Sequence, residues 1–538
     1  MLDKLFVNGK IHTMVSPNDI YSSLGVRDGL IEYVGDEQNI PSKEVIDLHG
    51  KTMIPGMADS HLHLYAHCQN LTYVDLSNVK SIKEMIDKMK EKANKTEEGQ
   101  WIKGVNFDQT KWSENRFPTL DEMNSISDVH PIVIKRTCLH CVVANSLGLK
   151  IAGIERNATS ELGGKIELDE DGYPTGILRE QTTKIFDDIL PNPLENNKTR
   201  DEIFQAALSD MSSKGITTIH TYAAQIWQYN EDINIYRNFE KQNKLPLRVT
   251  VCLDNYFEQE KISPTEFKNP YRLTQYGAFK VFTDGSLGSE SAALREPYAN
   301  NPNAKGLLIS SRDELIKLIT EAYIKGYQPA IHAIGDRALD ITLDAIETAV
   351  HSYETQNPGK SASERLPFRI IHAEIADLPS IECMAKLPVV IDMQPTFICT
   401  DLHWLEYLLG PSRAQNSYPM KTMMEKGLIL TGGSDCPVET YDPIIGVYAA
   451  VTRQDLDGTP INGFLPNEKL DVFKALSMFT KNVHYATGQE KYLGTLEKGK
   501  FADLVVLNED IFSVAENKIK DIKIEQTYLA GSCVYMVQ

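Results

Sequence analysis

At 538 residues the chain exceeds the size at which one hydrophobic core stops growing, so one large domain and at least one smaller unit are expected. An apolar content of 42% and a charged content of 24% are those of an ordinary globular protein and exclude a disordered, collagen-like or disulfide-rich chain. The formal net charge of −19 repels phosphate backbones and anionic lipid headgroups, so neither nucleic acid nor a membrane is an expected partner.

The N-terminus, MLDKLFVNGKIHTM, has no apolar signal core, and no uncharged run is long enough to span a bilayer, so a cytoplasmic protein is expected. The first fifty residues read as short strands with tight turns at Asn8-Gly9 and Asp28-Gly29, both strong hairpin signals. The other end repeats this style in FADLVVL, Ala530-Gly531 and CVYMV. The two termini, 1–54 and 488–538, are therefore predicted to pair into one small β-sandwich domain, so that neither leaves an open edge.

From 55 to 487 short apolar runs alternate with helical stretches, the βαβα pattern of a parallel sheet or barrel. Candidate strands are MIPGMADSHLHL, GITTIHTY, YGAFKVFTDG, YQPAIHAIG, FRIIHAE, VVIDMQP and LILTGGSD. Several end in His, Lys or Asp where the apolar run gives out, which is where a (β/α)₈ barrel carries its active-site groups. The stretch 65–213 breaks this rhythm and reads as a long insertion near the active-site mouth. It contains a helix, Ser81 to Lys95, opened by a capping box of Ser81 and Glu84, with Ile82, Met85, Ile86 and Met89 on one face.

Eight cysteines over this length, without a signal peptide, read as reduced thiols. Cys138 and Cys141 form a C-x-x-C, but no second C-x-x-C completes a four-thiolate site, and both are taken as core thiols.

His61-Leu62-His63 ends an apolar run and follows Asp59; residues two apart on a strand face the same side, so both imidazoles point into one space. His332, His372 and Asp435 close other β-like runs. Four histidines and an aspartate at separate strand ends converge only in a barrel, and they are the donor set of Zn²⁺, Mn²⁺ or Fe²⁺. Lys280, inside the apolar run GAFKVFTDGS, would be costly to bury as an ammonium. Either its head reaches solvent or pairs with Asp284, or CO₂ converts its amine to an anionic carbamate.

The order PGMADSHLHL, a strand-borne Lys, then His, His and SD resembles the amidohydrolase superfamily. KVFTDGSLGSESAAL, HAIGDRALD, SDCPVETYDP and LGTLEKGKFADLVVL resemble more narrowly its amidohydrolase 3 group, which includes N-substituted formamide deformylases. The resemblance implies a TIM-like (β/α)₈ barrel in which His61, His63, carboxylated Lys280, His332, His372 and Asp435 hold divalent metal, two Zn²⁺ by preference. It implies a metal-activated hydroxide that cleaves a C–N bond of a small molecule, with Asp435 as general acid/base. One departure is Glu290 in GSLGSESA, where relatives commonly carry an arginine.

Candidate substrate contacts are Asp108, Trp112, Arg136, His140, Glu180 and His220; Arg136 could clamp a carboxylate or form an ordinary ion pair. Two alternatives stay open. One is a mononuclear deaminase on the same barrel, although the Glu such enzymes place after the fifth-strand His is absent and Glu374 follows His372 instead. The other is a binding protein without catalysis. A homodimer is the default assembly.

Overall fold

The structure, a computed structural model, describes residues 1–136, 141–159, 164–222, 233–253 and 271–537. The chain forms two compact units: Met1–Tyr65 with Gln205–Gln538, and Ala66–Phe204.

The larger unit is built on eight parallel strands. They are β1 (Met57–Leu62), β2 (Ile216–Tyr222), β3 (Arg248–Leu253), β4 (Thr274–Phe282), β5 (Pro329–Ala333), β6 (Phe368–His372), β7 (Val389–Met393) and β8 (Ile429–Gly432), each paired with the next in chain order. Every residue of β1, β2, β3, β5, β6 and β7 is buried, as expected of strands covered on both faces. The parallel, TIM-like arrangement agrees with the sequence reading. β3, from LPLRVTVCLD, is the strand that reading did not single out; no histidine or lysine marks its end.

β1 and β8 are the ends of the hydrogen-bonded order, and among the described residues they share no ladder along their lengths. Their free edge groups are satisfied from the segment after 478: Ala58 N–H donates to Phe479 O at 2.7 Å, and Asn482 Nδ2 donates to Leu430 O at 2.8 Å. The Phe479 ring fills the gap, so close to β8 that a Cβ at Gly432 would lie 2.6 Å from it.

Two further sheets of this unit take strands from the chain ends. Leu2–Val7, Ser23–Arg27, Leu30–Gly35 and Ser42–Asp47 form a four-stranded sheet. Lys10–His12, Ile20–Tyr21 and Thr52–Pro55 join Leu504–Leu507, Ile524–Leu529 and Ser532–Met536 in a six-stranded one, where Thr52–Pro55 pairs antiparallel with Leu504–Leu507. The Asp28-Gly29 and Ala530-Gly531 turns are hairpins, with positive φ at both turn residues. Asn8-Gly9 is not: the strands on either side enter different sheets, because Leu2–Val7 pairs with Ser23–Arg27 and Lys10–His12 with Ile20–Tyr21.

The smaller unit carries a six-stranded mixed sheet from Val74–Asp75 to Gly164–Leu168. Its helix Ile82–Ala93 buries Ile82, Met85, Met89 and Ala93. Ser81 Oγ accepts from Glu84 N–H at 3.2 Å as expected, but the Glu84 carboxylate reaches one residue further back, to Lys80 N–H at 2.8 Å. No described helix is long and apolar enough to cross a membrane. The described cysteines are free thiols; Cys141 is buried, and Cys138 lies outside the described residues.

Candidate metal centre

At the carboxyl ends of the barrel strands, one nitrogen from each of His61 and His63 and one oxygen of Asp435 lie within 4.8 Å of one another. His61 is the last residue but one of β1 and His63 follows the strand; Nε2 of His61 is 3.3 Å, and Nε2 of His63 3.0 Å, from Asp435 Oδ1. Asp435 is brought there by Asp435 N–H donating to His61 O at 2.7 Å, and His63 N–H answers to Cys436 O at 2.7 Å. The approach is close enough that a Cβ at Gly433 would sit 2.8 Å from His61 N, so only glycine fits.

His63 Nδ1 donates to the Tyr222 carbonyl at 2.8 Å, which in a neutral ring leaves the Nε2 lone pair facing Asp435 Oδ1. Asp435 Oδ1, 3.0 Å from His63 Nε2, is a buried oxygen without a hydrogen-bond partner. A cation fits that position, and the imidazole and carboxylate donors suit a first-row divalent ion.

His372 and His332 continue the cluster, their ring centroids 4.5 Å apart and His372 5.8 Å from His61. His372 Nδ1 bonds to Gln394 Oε1 at 2.7 Å, which leaves Nε2 as its acceptor; His332 Nε2 bonds to Gly285 O at 3.0 Å, which leaves Nδ1. Burial holds His61 and His332 well below the usual imidazole range and His372 at about 3, so all three rings are neutral, the form that coordinates metal. Burial by itself raises the Asp435 carboxyl, but the His61 and His63 imidazoles beside it outweigh burial and keep the group well below its ordinary range. His372 (φ 74°) and Asp435 (φ 55°) both sit in left-handed backbone, strain of the kind stored at functional sites.

Lys280 neither reaches solvent nor pairs with Asp284. It is 1% exposed, its Nζ is 3.4 Å from His61 Nε2, and the Tyr222 and Phe282 rings flank it at 5.2 and 4.9 Å. Burial pushes its amine down to about 7. Asp284 instead accepts from the backbone N–H groups of Ala293, Ile334 and Gly335 at 2.8–3.0 Å.

The structure places the candidate substrate contacts as follows. His220, two residues before the end of β2, is wholly buried inside the barrel, with Nδ1 3.2 Å from Arg369 Nη1. In the smaller unit Trp112 is buried against Phe107, and Asp108 caps the turn Gln109–Lys111. Arg136 is held by Asp108 at 3.1 Å and Gln109 at 2.8 Å. Glu180 ends the strand Pro174–Glu180, and His140 lies outside the described residues. Glu290, also left-handed (φ 54°), accepts from Asn300 and Asn301 at 2.7 and 2.9 Å.

Three groups around the ligands were not singled out from the sequence. Tyr222 stacks on His61 at 4.3 Å while its carbonyl orients His63. Gln394 orients His372, and Asp59 accepts from His61 N–H at 2.9 Å and Ser434 N–H at 3.2 Å. Tyr222 and Gln394 close strand-like runs, so the strand-end rule that marks the ligands would have found them had it been extended to uncharged side chains.

The sequence profile of the amidohydrolase family matches residues 44–535. YtcJ of Bacillus subtilis, named as an amidohydrolase, is 31% identical, with 98% of each chain covered. The N-substituted formamide deformylase of Arthrobacter pascens is 27% identical over 99% of this chain and 98% of its own. Among solved structures, a metal-dependent hydrolase of Pyrococcus horikoshii superposes with a TM-score of 0.76 at 29% identity, covering 95% of this chain and 99% of its own.

Proposed function

Because the chain belongs to the amidohydrolase family, we propose that its centre uses divalent metal to hydrolyse an amide, formamide or N-acyl C–N bond of a small molecule. The observation that carries this reading is the convergence of one nitrogen from each of His61 and His63 and one oxygen of Asp435 within 4.8 Å of one another, at a buried carboxylate oxygen that has no hydrogen-bond partner.

His61, His63, His332, His372 and Asp435 would hold the metal, and Lys280 would join them as a carbamate formed with CO₂. Zn²⁺ suits this donor set, and Mn²⁺ or Fe²⁺ would fit it too. Bound there, divalent metal supplies Lewis-acid polarisation of a carbonyl oxygen and a water made acidic near neutral pH.

The chain's own residues do the rest. A buried Lys280 amine brought down to about 7 is substantially uncharged near neutral pH, and the uncharged amine is the form that adds to CO₂. Asp435, kept ionised, takes a proton from the attacking water at a carboxylate oxygen and returns it to the leaving nitrogen. Gln394, Gly285 and the Tyr222 carbonyl fix which nitrogen of His372, His332 and His63 faces the centre, so the rings need not reorient during turnover. N-substituted formamides are the first substrates to screen, since one relative carries that activity in its name.

The test is metal content per chain by elemental analysis, on protein purified without chelator, beside Lys280→Ala. About two equivalents, falling to about one or fewer in the variant, support a carbamate-bridged pair of ions. A single equivalent, unchanged by the variant, would favour mononuclear chemistry and end the bridge.

A further inference from the structure

We propose that Thr431 and Arg369 are positioning residues of the metal centre. By clamping Ser60 across the open seam of the barrel, they set the distance at which His61 and His63 meet Asp435. The inference rests on the reading of that triad as a metal site.

The seam is the place where β1 and β8 share no ladder. His61 and His63 lie on one side of it and Asp435 on the other, so the spacing of the chelating atoms is not set by the inter-strand hydrogen bonds that fix every other neighbouring pair of strands. The two backbone bonds that cross at this level belong to the ligands themselves and to Cys436. Asp59, on β1, adds a side-chain tie to Ser434 N–H at 3.2 Å, and the strands below that level need one of their own.

The structure puts a buried polar network there. Thr431 Oγ1, on β8, is 3.0 Å from Ser60 Oγ, on β1, and 2.5 Å from Asp392 Oδ1, on β7. Arg369, on β6, donates to Asp392 Oδ2 at 2.7 Å and to the Ser60 carbonyl at 2.8 Å, and its third nitrogen reaches His220 on β2. Ser60, Arg369, Asp392 and Thr431 are each 0% exposed. Five strands are thus tied to one guanidinium and one carboxylate, and two of the links end on the residue next to His61.

A charge pair this deep in the barrel is poor value for stability alone, since apolar side chains of similar volume often do as well. What apolar groups cannot supply is a directional tie between two strands that lack a ladder.

The test measures cation binding directly, with Co²⁺ added to metal-free protein and read by its visible absorption and by competition with a chelator. Thr431→Val keeps the volume and removes the hydroxyl; Ser60→Ala removes the partner hydroxyl and serves if the first variant does not fold; Thr431→Ser restores the contact. Thr527→Val, which deletes a buried hydroxyl bonded to Ser212 O at 2.8 Å in the terminal sheet, controls for general loss of stability.

Expected are an affinity loss of about 10- to 100-fold and an altered Co²⁺ spectrum in Thr431→Val, recovery in Thr431→Ser, and wild-type affinity in Thr527→Val. Wild-type affinity and spectrum in folded Thr431→Val or Ser60→Ala, or a loss matched by Thr527→Val, would overturn the inference while leaving the metal reading intact. Wild-type protein that takes up no cation would overturn both.

Discussion

The interior of the barrel and the core shared by the two terminal sheets are equally dry and chemically opposite. Between the terminal sheets the apolar cluster includes Phe6, Ile11, Leu24, Val26, Ile31, Leu48, Met53, Leu504 and Val506, and the Tyr528 phenol is its one ionisable group. Inside the barrel, Ser60, His220, Lys280, Arg369, Asp392 and Thr431 are buried to 1% exposure or less. The first region is held by apolar burial, which is tolerant of shape. The second is held by directional bonds, which fail when one partner is removed. Chemistry is placed where the fold accepts that vulnerability.

The difference is sharpest for the Arg369–Asp392 pair. Arg369→Met should destabilise the protein by about 3–5 kcal/mol in urea unfolding, because it leaves the Asp392 carboxylate buried without its cation. Adding Asp392→Leu should recover much of that loss, while cation binding stays impaired. If the double variant regained both, the pair would matter for stability alone and the contrast between the regions would weaken.

A second effect comes from His484, buried in the helix Lys481–Ala486, where burial lowers its imidazole to about 4. A folded-state value below the unfolded one means the folded protein binds fewer protons in acid. The contribution is complete above about pH 6.5 and is lost as the pH falls toward 4, at about 1.4 kcal/mol per pH unit. Lowering the pH from 7 to 5 should therefore reduce the melting temperature of the wild type more than that of His484→Gln; equal slopes would remove His484 as a cause.

The smallest change is expected in the apolar region. Leu24→Met, at a wholly buried site between the terminal sheets, should cost less than about 1.5 kcal/mol in urea unfolding and leave metal content untouched. A larger cost would show that this core is as exacting as the barrel interior.

Much of the barrel was readable from sequence because its strands are short apolar runs and its candidate metal ligands stand where those runs stop. His61, His63, His332, His372 and Asp435 share that placement, and the structure gathers them at one end. β3 was not singled out although Asp254 closes its run, and Asn8-Gly9 looked like a hairpin because a turn signal says that the chain bends, not which strands will pair. His220 obeyed the same strand-end pattern as the candidate ligands and yet faces Arg369, since it stands two residues before the end of its strand and so on the same face as Tyr222 but one layer deeper in the barrel.

Residue order alone determined that this is a parallel α/β chain with a histidine-rich set of strand ends, because hydrophobic period and side-chain chemistry are local properties. Which strands bound the seam, which nitrogen of each imidazole faces the centre, and that Ser60, Thr431, Asp392 and Arg369 meet were decided by the tertiary fold. Those facts depend on groups hundreds of residues apart arriving within 3 Å or so of one another, as Arg369 does at Ser60, 2.8 Å away. Closure of the barrel creates that proximity, and no local pattern encodes it.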